Sequence, residues 1–299
     1  MKGRLKQKNL SISFLNPKIS KEKDLRGIIT YCTREKAFLI LDHYSLDDNY
    51  QKSIADAGIK FLLFDSHGIS DFYADAILHA SPSATQNLYE PLVKKPNAML
   101  LLGTSYAIMD PEFAKERESL QARTKLKNIL ICMGGGNDNG ASLKILRFLK
   151  TFPVDNIKIE VIAGNNHPDS LGIQSLCNST PHFSHVPGTN DMPKFMRRAD
   201  LGIIAPGTLS YEAACLGMPM LLCVTADNQK MNAEGWEKLG CAINLGEIDE
   251  LQKENFTSHL NVLVSNFTML QKMSEVGMQA VDGLGVSRVK GKIDQLIHH

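Results

Sequence analysis

NILICMGGGNDN (128–139) is the stretch that decides the fold. A short apolar run of strand character ends in consecutive glycines and a polar cluster, the form of a buried parallel strand handing over to a helix. Toward the C-terminus the form returns in KIEVIAG (158–164), LGIIAPG (201–207) and MLLCVTADN (220–228), each followed by a segment of helical spacing. Apolar strands that end in Gly or Asp and alternate with helices imply a doubly wound α/β sheet. Toward the N-terminus, SISFL (11–15), AFLILDHY (37–44), KFLLFDS (60–66) and AILHAS (76–81) alternate with amphipathic segments. LDDNYQKSIADAG (46–58) between two of them reads as a helix closing on Gly58, completing a βαβ unit. The expected organisation is α/β with two Rossmann-like domains. The first covers 1–103, a charge-rich connector covers 104–126, and the second covers 127–299 with a helical tail.

Composition bounds the function. The chain has 299 residues, enough for two domains that each bury a core, and its 43% apolar and 22% charged residues are ordinary for a globular protein. With 33 basic and 32 acidic residues there is no global field to attract nucleic acid or an anionic membrane, so an anionic ligand must be held by local geometry. A small-molecule partner is therefore expected. The six cysteines are dispersed without metal-ligand spacing and read as reduced, buried thiols, and no metal or cofactor is expected. MKGRLKQKNL is followed by an apolar stretch too short for a signal or a spanning helix, so the expected location is the cytoplasm, without stable membrane insertion.

Ligands of open α/β sheets lie outside the carboxyl ends of the strands. Three such loops carry candidate residues. Gly134, Gly135, Gly136 and Asn137 let a backbone approach a phosphate, although a plain tight turn uses the same glycines. Gly207, Thr208 and Leu209 open a helix whose amides face a diphosphate, and Glu212 one turn on suits ribose hydroxyls; the competing reading is a Thr208 N-cap. Asn228 and Gln229 follow the strand MLLCV and can reach a sugar substituent, or else Asp227 or Asn228 caps a helix. In the first domain, Asp42-His43-Tyr44 and Asp65-Ser66-His67 put titratable groups at neighbouring strand ends. No GxSxG elbow, Walker loop, HExxH or complete GxGxxG is present.

Together, LDHYSLDD (41–48), FDSHGISDFYADAILHASPSA (64–84), LLGTSYAIMDPEF (101–113), ICMGGGNDN (131–139), APGTLSYEAACLGMPMLL (205–222) and ADNQ (226–229) resemble the PseG family. These are UDP-2,4-diacetamido-2,4,6-trideoxy-β-L-altropyranose hydrolases of pseudaminic acid biosynthesis, with a GT-B architecture shared with MurG-type glycosyltransferases. The resemblance implies that Gly135, Thr208 and Glu212 hold the UDP moiety and that Tyr44 and Asn228 face the sugar's anomeric side; His43 or His67 is a candidate to stand in for a catalytic base. The implied reaction is metal-independent hydrolysis that releases UDP. The family opens with a strand and a GxGHxxR-like loop whose His serves the attacking water. Here SISFLNP (11–17) resembles the family's second strand instead, so an incomplete N-terminal domain lacking that base is expected. The alternatives are a GT-B glycosyltransferase using a UDP-sugar and a non-catalytic UDP-sugar-binding protein.

Overall fold

The computed structural model describes residues 18–43, 45–134, 136–153 and 156–298. Two parallel sheets form the frame. The first has four strands in sequential order, β1 (Leu39–Leu41), β2 (Phe61–Phe64), β3 (Ala76–His79) and β4 (Met99–Leu102). The second has six, β5 (Asn128–Cys132), β6 (Lys158–Ile162), β7 (Phe183–Val186), β8 (Leu201–Ile204), β9 (Met220–Val224) and β10 (Ala242–Glu247). Their order is β10-β9-β8-β5-β6-β7, every neighbouring pair parallel. This is the doubly wound order in which the winding reverses between β5 and β8, and the crevice at that reversal is where such sheets bind ligands. The SISFL strand expected at 11–15 lies outside the described residues.

The apolar runs explain why these segments become inner strands. MLLCV of β9 is buried at every position and AILH of β3 likewise, so each strand is covered on both faces. The first sheet packs one face on α1 (Lys21–Glu35) and α2 (Asp48–Asp56), whose Cys32, Tyr50 and Ile54 join Phe61, Leu63 and Ile77 in one core. Asp47 caps α2 by accepting the Tyr50 amide at 2.9 Å, and Gly58 follows its end with φ near +73°, as the helix reading required.

The other face of the first sheet is covered from the far end of the chain. After α10 (Lys253–Ser265) and α11 (Phe267–Ala280), α12 (Gly285–His298) lays Val289, Ile293 and Leu296 over Leu62, Ala76, Leu78 and Leu101. Lys60 Nζ donates to the Leu296 carbonyl at 2.7 Å. The tail read with the second domain thus ends on the first, because a parallel sheet must bury both faces.

The segment 104–126 is more than a spacer. It holds α4 (Pro111–Arg117), capped by Asp110, and two arginines that collect helix C-termini. Arg117 donates to the carbonyls of Cys215, Met278 and Val281 at 2.6–3.0 Å. Arg123, 6% exposed, donates to the Ala199, Leu216, Met196 and Arg197 carbonyls. A guanidinium satisfies the orphan carbonyls and opposes the negative ends of the dipoles. Burial pulls Arg123 down to about 10, and Asp200 counters it. The connector is therefore welded to the second domain.

Candidate functional site

Between the two sheets lies a cavity of about 480 Å³, within the range of small-ligand sites. The carboxyl ends of both sheets face it. The first domain contributes Asp42 and His43 after β1, Asp65 to His67 after β2, and His79 at the end of β3. Across from them stand Pro206, Gly207, Thr208 and Tyr211 from the β8 turn and its helix, and Asn228, Gln229 and Asn232 from the β9 side.

The β8 turn is built to expose backbone. Helix α8 (Thr208–Cys215) begins at Thr208, with Gly207 as its cap and no side-chain cap bond, so a Thr208 N-cap is not what the hydroxyl does. Gly207 N–H donates to the Ala205 carbonyl at 2.9 Å and Ser210 N–H to the Gly207 carbonyl at 3.0 Å, which leaves the Thr208 and Leu209 amides for solvent or ligand, in line with the helix dipole. A Cβ placed on Gly207 or Gly136 meets nothing within 4 Å, and neither residue has a positive φ. Protein packing therefore explains neither glycine, and space beside the backbone is kept open. Gly134 differs, since its φ near +106° itself requires glycine.

A buried network fixes the turn from below. Asn232 Nδ2, on α9 (Lys230–Leu239), donates to the Pro206 carbonyl at 2.6 Å, and its Oδ1 accepts from Tyr211 at 2.9 Å. Trp236 Nε1 donates at 2.8 Å to Ser210 Oγ, which donates to the Gly207 carbonyl at 2.6 Å. Tyr211 meets the Trp236 ring edge-on at 5.2 Å. Sequence reasoning missed Ser210, Asn232 and Trp236. The lone tryptophan beside an Asn one turn earlier was the available signal.

Glu212 is half-buried, its carboxylate forms no hydrogen bond or ion pair among the described residues, and it does not line the cavity. Its electrostatic neighbours are Asp110, Cys215 of its own helix and Cys132, the last residue of β5. Burial first, and then Asp110, push its carboxyl up to about 7. A carboxylate held without a cation is an open acceptor at the sheet's winding reversal.

Gly134, Gly136 and Asn137 are not in the cavity lining either; from Asn137 the chain leads toward α5 (Ala141–Lys150). Asp138 anchors it, accepting the Gly140 and Ser142 amides at 3.0 and 2.9 Å. Asn139 Nδ2 donates to the Thr225 carbonyl at 3.1 Å, tying this loop to the one after β9. Leu209 packs into the core. Gly207, Thr208, Asn228, Gln229 and His43 line the cavity, Gly134, Gly136, Asn137, Leu209 and Glu212 do not, and Tyr44 and Gly135 lie outside the described residues. Neither Asp227 nor Asn228 caps a helix through its side chain; Gln229 Oε1 accepts the Thr225 amide at 2.9 Å, leaving Asn228 exposed toward the cleft.

Asp138, His167 and Asp169 bring metal-capable atoms within 4.8 Å of one another. His167 Nδ1 accepts the Asp169 amide at 3.1 Å, which in a neutral ring puts the proton on Nε2, 3.0 Å from Asp138 Oδ1. Despite that approach, the buried Nε2 makes no hydrogen bond among the described residues.

On the opposite wall, His43 Nδ1 accepts the Ser45 amide at 3.1 Å in an exposed loop. His79 was not singled out in the sequence, because a histidine within AILHAS reads as part of a buried strand. It is 6% exposed, and its Nδ1 bonds the hydroxyl of the fully buried Tyr89, which donates to Asp65 Oδ2.

The parallel sheets, the winding reversal and the facing strand ends define a two-domain GT-B-like architecture. Among relatives, the spore coat polysaccharide biosynthesis protein SpsG of Bacillus subtilis is 25% identical over 248 residues, covering 82% of this chain and 72% of its own. A UDP-N-acetylglucosamine–N-acetylmuramyl-(pentapeptide) pyrophosphoryl-undecaprenol N-acetylglucosamine transferase of Alkaliphilus metalliredigens is 22% identical, over 70% of this chain and 59% of its own length. The MurG crystal structure from Acinetobacter baumannii superposes with a TM-score of 0.70 at 18% identity, over 98% of this chain and 88% of that one. No protein-family model matches the chain. Among the described residues no helix is long and apolar enough to cross a membrane.

Proposed function

We propose that this protein binds a UDP-sugar across the interdomain cleft and transfers the glycosyl group to a hydroxyl acceptor, releasing UDP. The observation that carries the reading is the β8 turn. The helix-opening amide of Thr208 has no acceptor among the described residues and stands in the cleft lining beside Gly207, whose Cβ space is empty, the arrangement that receives a pyrophosphate. Glu212, half-buried and without a partner at the same helix, is the acceptor for the ribose hydroxyls. The Gly134–Asn137 loop, tied to the β9 side through Asn139, closes on the nucleotide from the second strand end. Asn228 and Gln229 meet the sugar from the C-terminal wall. The relatives support this donor class: one is named as an N-acetylglucosamine transferase with UDP-N-acetylglucosamine in its name and another as a spore coat polysaccharide biosynthesis protein, which favours a surface glycan as the product.

With water in the acceptor's place, the same cleavage is the PseG-type hydrolysis that the sequence resemblance implies. Calorimetric titration of UDP and UDP-GlcNAc into wild type and Glu212→Ala tests the binding claim. Binding to wild type that weakens about tenfold or more in the variant is expected, since hydrogen bonds to a charged group contribute roughly 1.5–3 kcal/mol each. Equal binding by both proteins, or none by wild type, rejects the site. UDP release that rises with added sugar hydroxyls marks transfer, and release independent of them marks hydrolysis.

A further inference from the structure

The wall of the cleft opposite the nucleotide carries a hydrogen-bonded relay whose proton positions can be deduced. Asp65 Oδ2 accepts the backbone amides of Gly68 and His67 at 2.7 and 3.2 Å, and it accepts the Tyr89 hydroxyl proton as well. A tyrosine has one proton to give, and here it goes to the carboxylate. The bond between the Tyr89 oxygen and His79 Nδ1 must therefore be donated by the ring, so the proton of neutral His79 sits on Nδ1. Its Nε2 is left as a lone pair, makes no hydrogen bond among the described residues, and belongs to a side chain lining the cavity.

The ring cannot easily turn away from this arrangement. Tyr89 stacks on Phe72 with centroids 5.5 Å apart, and His79 meets Tyr89 edge-on at 5.8 Å. His79 itself is in the last position of a strand paired with β4 through Leu102. The other cleft histidines are held differently: His43 lies on an exposed loop, and His67 is exposed with Nδ1 2.8 Å from Ser66 Oγ. Burial lowers the His79 pKa, Asp65 opposes that shift and His67 adds to it, so the ring is neutral at neutral pH. A neutral imidazole with one nitrogen anchored and the other bare is the form a general base takes.

We propose that His79 Nε2 is the proton acceptor for the attacking hydroxyl, with Tyr89 and Asp65 as positioning residues that hold the ring in the tautomer this requires. This rests on the UDP-sugar reading above. The hydroxyl oxygen bonds to the anomeric carbon as that carbon's bond to the β-phosphate oxygen breaks. The electron pair of the broken bond leaves with UDP toward the Thr208 helix. The hydroxyl proton passes to Nε2, and the resulting imidazolium is faced by the Asp65 carboxylate through Tyr89.

The test begins without nucleotide. Long-range proton–nitrogen spectra of the full-length chain labelled at histidine nitrogens, assigned with His79→Gln, are expected to show His79 neutral at pH 7.5 and protonated on Nδ1. A ring protonated on Nε2, or on both nitrogens, overturns the proposal. Tyr89→Phe keeps the aromatic stack but removes the linking oxygen. It is expected to mix the two tautomers and move the acid limb of the rate profile to lower pH, because Asp65 no longer supports the cation; an unmoved limb with unmixed tautomers overturns the relay. His79→Gln is expected to bind UDP as wild type does and to release UDP from UDP-GlcNAc more slowly by a factor on the order of 10² to 10⁴. Release equal to wild type overturns the role, as does a wild-type chain that binds UDP-GlcNAc yet releases no UDP with or without hydroxyl acceptors. Absence of UDP binding by wild type would instead sink the nucleotide reading, which the ligand-free spectra do not touch.

Discussion

The two walls of the cleft are made of different material. The C-terminal wall offers backbone: a helix start at Thr208 beside Gly207, whose Cβ space is empty, with the Glu212 carboxylate on the same helix but off the lining. The N-terminal wall offers side chains in a chain of hydrogen bonds, His79 to Tyr89 to Asp65. Backbone amides at a helix terminus suit a fixed anion and do not titrate, whereas an anchored imidazole is suited to moving a proton. On the proposed reading, binding and proton chemistry fall on separate domains, so productive geometry depends on how those domains meet.

Four measurements break or sharpen that division. The largest effect is expected from Gly207→Val. A Cβ there meets no protein atom within 4 Å, so thermal stability is expected to stay near wild type, while loss of the phosphate–amide contacts lowers UDP affinity by a factor on the order of 10², read by titration. A variant that unfolds, or binds UDP normally, removes the backbone wall from the account.

Gly235→Leu attacks the meeting of the domains. A Cβ there falls 2.9 Å from the Ser83 amide nitrogen, in the contact where Ser83 Oγ donates to the Met231 carbonyl at 3.0 Å. The wedge is expected to part the walls and lower UDP release about 10²-fold with UDP affinity retained, since misplacement near 1 Å suffices for that loss. Scattering curves of the two proteins check the opening directly.

Third, affinity for UDP-GlcNAc is expected to fall as pH drops through about 7, where Glu212 takes up a proton in the free protein. The sign follows from the ligand: ribose hydroxyls donate to the ionised carboxylate, so binding requires the deprotonated form, and affinity declines about tenfold per unit below that pKa. Glu212→Gln should flatten the profile. A wild-type profile already flat between pH 5.5 and pH 8 assigns the pentose contact elsewhere.

The smallest effect is that of Tyr89→Phe on folding. Removing a buried hydroxyl that links two partners should lower stability by about 1–3 kcal/mol in a denaturant titration, with UDP affinity unchanged. A change in UDP affinity would show that the walls are not separable.

Legibility in the sequence followed burial. The apolar runs at 128–134, 158–164, 201–207 and 220–228 became β5, β6, β8 and β9, the inner four strands. The strands that went unread in that sheet, FSHV of β7 and AINLGE of β10, are its edges. An edge strand has one neighbour and carries polar residues, so its apolar signal is weak. In the first sheet the edge strand β4, MLLL, went unread although all four residues are apolar; only Leu101 of it is fully buried.

Sequence by itself determined the α/β class, the absence of a nucleic-acid field and the loops at Gly207–Thr208 and Asn228–Gln229, because strand period, charge count and glycine placement are local properties. Tertiary structure decided which residues share a space. Only folding shows that the final helix covers the first sheet, that Arg117 and Arg123 bind the connector to the second domain, and that Glu212 stands beside Cys132 off the cavity lining. It alone joins His79 to Tyr89 and Asp65, residues 10 and 24 positions from Tyr89. Such contacts are set by strand order and by the need of both sheets to bury two faces, and neither is encoded in any short window of the chain.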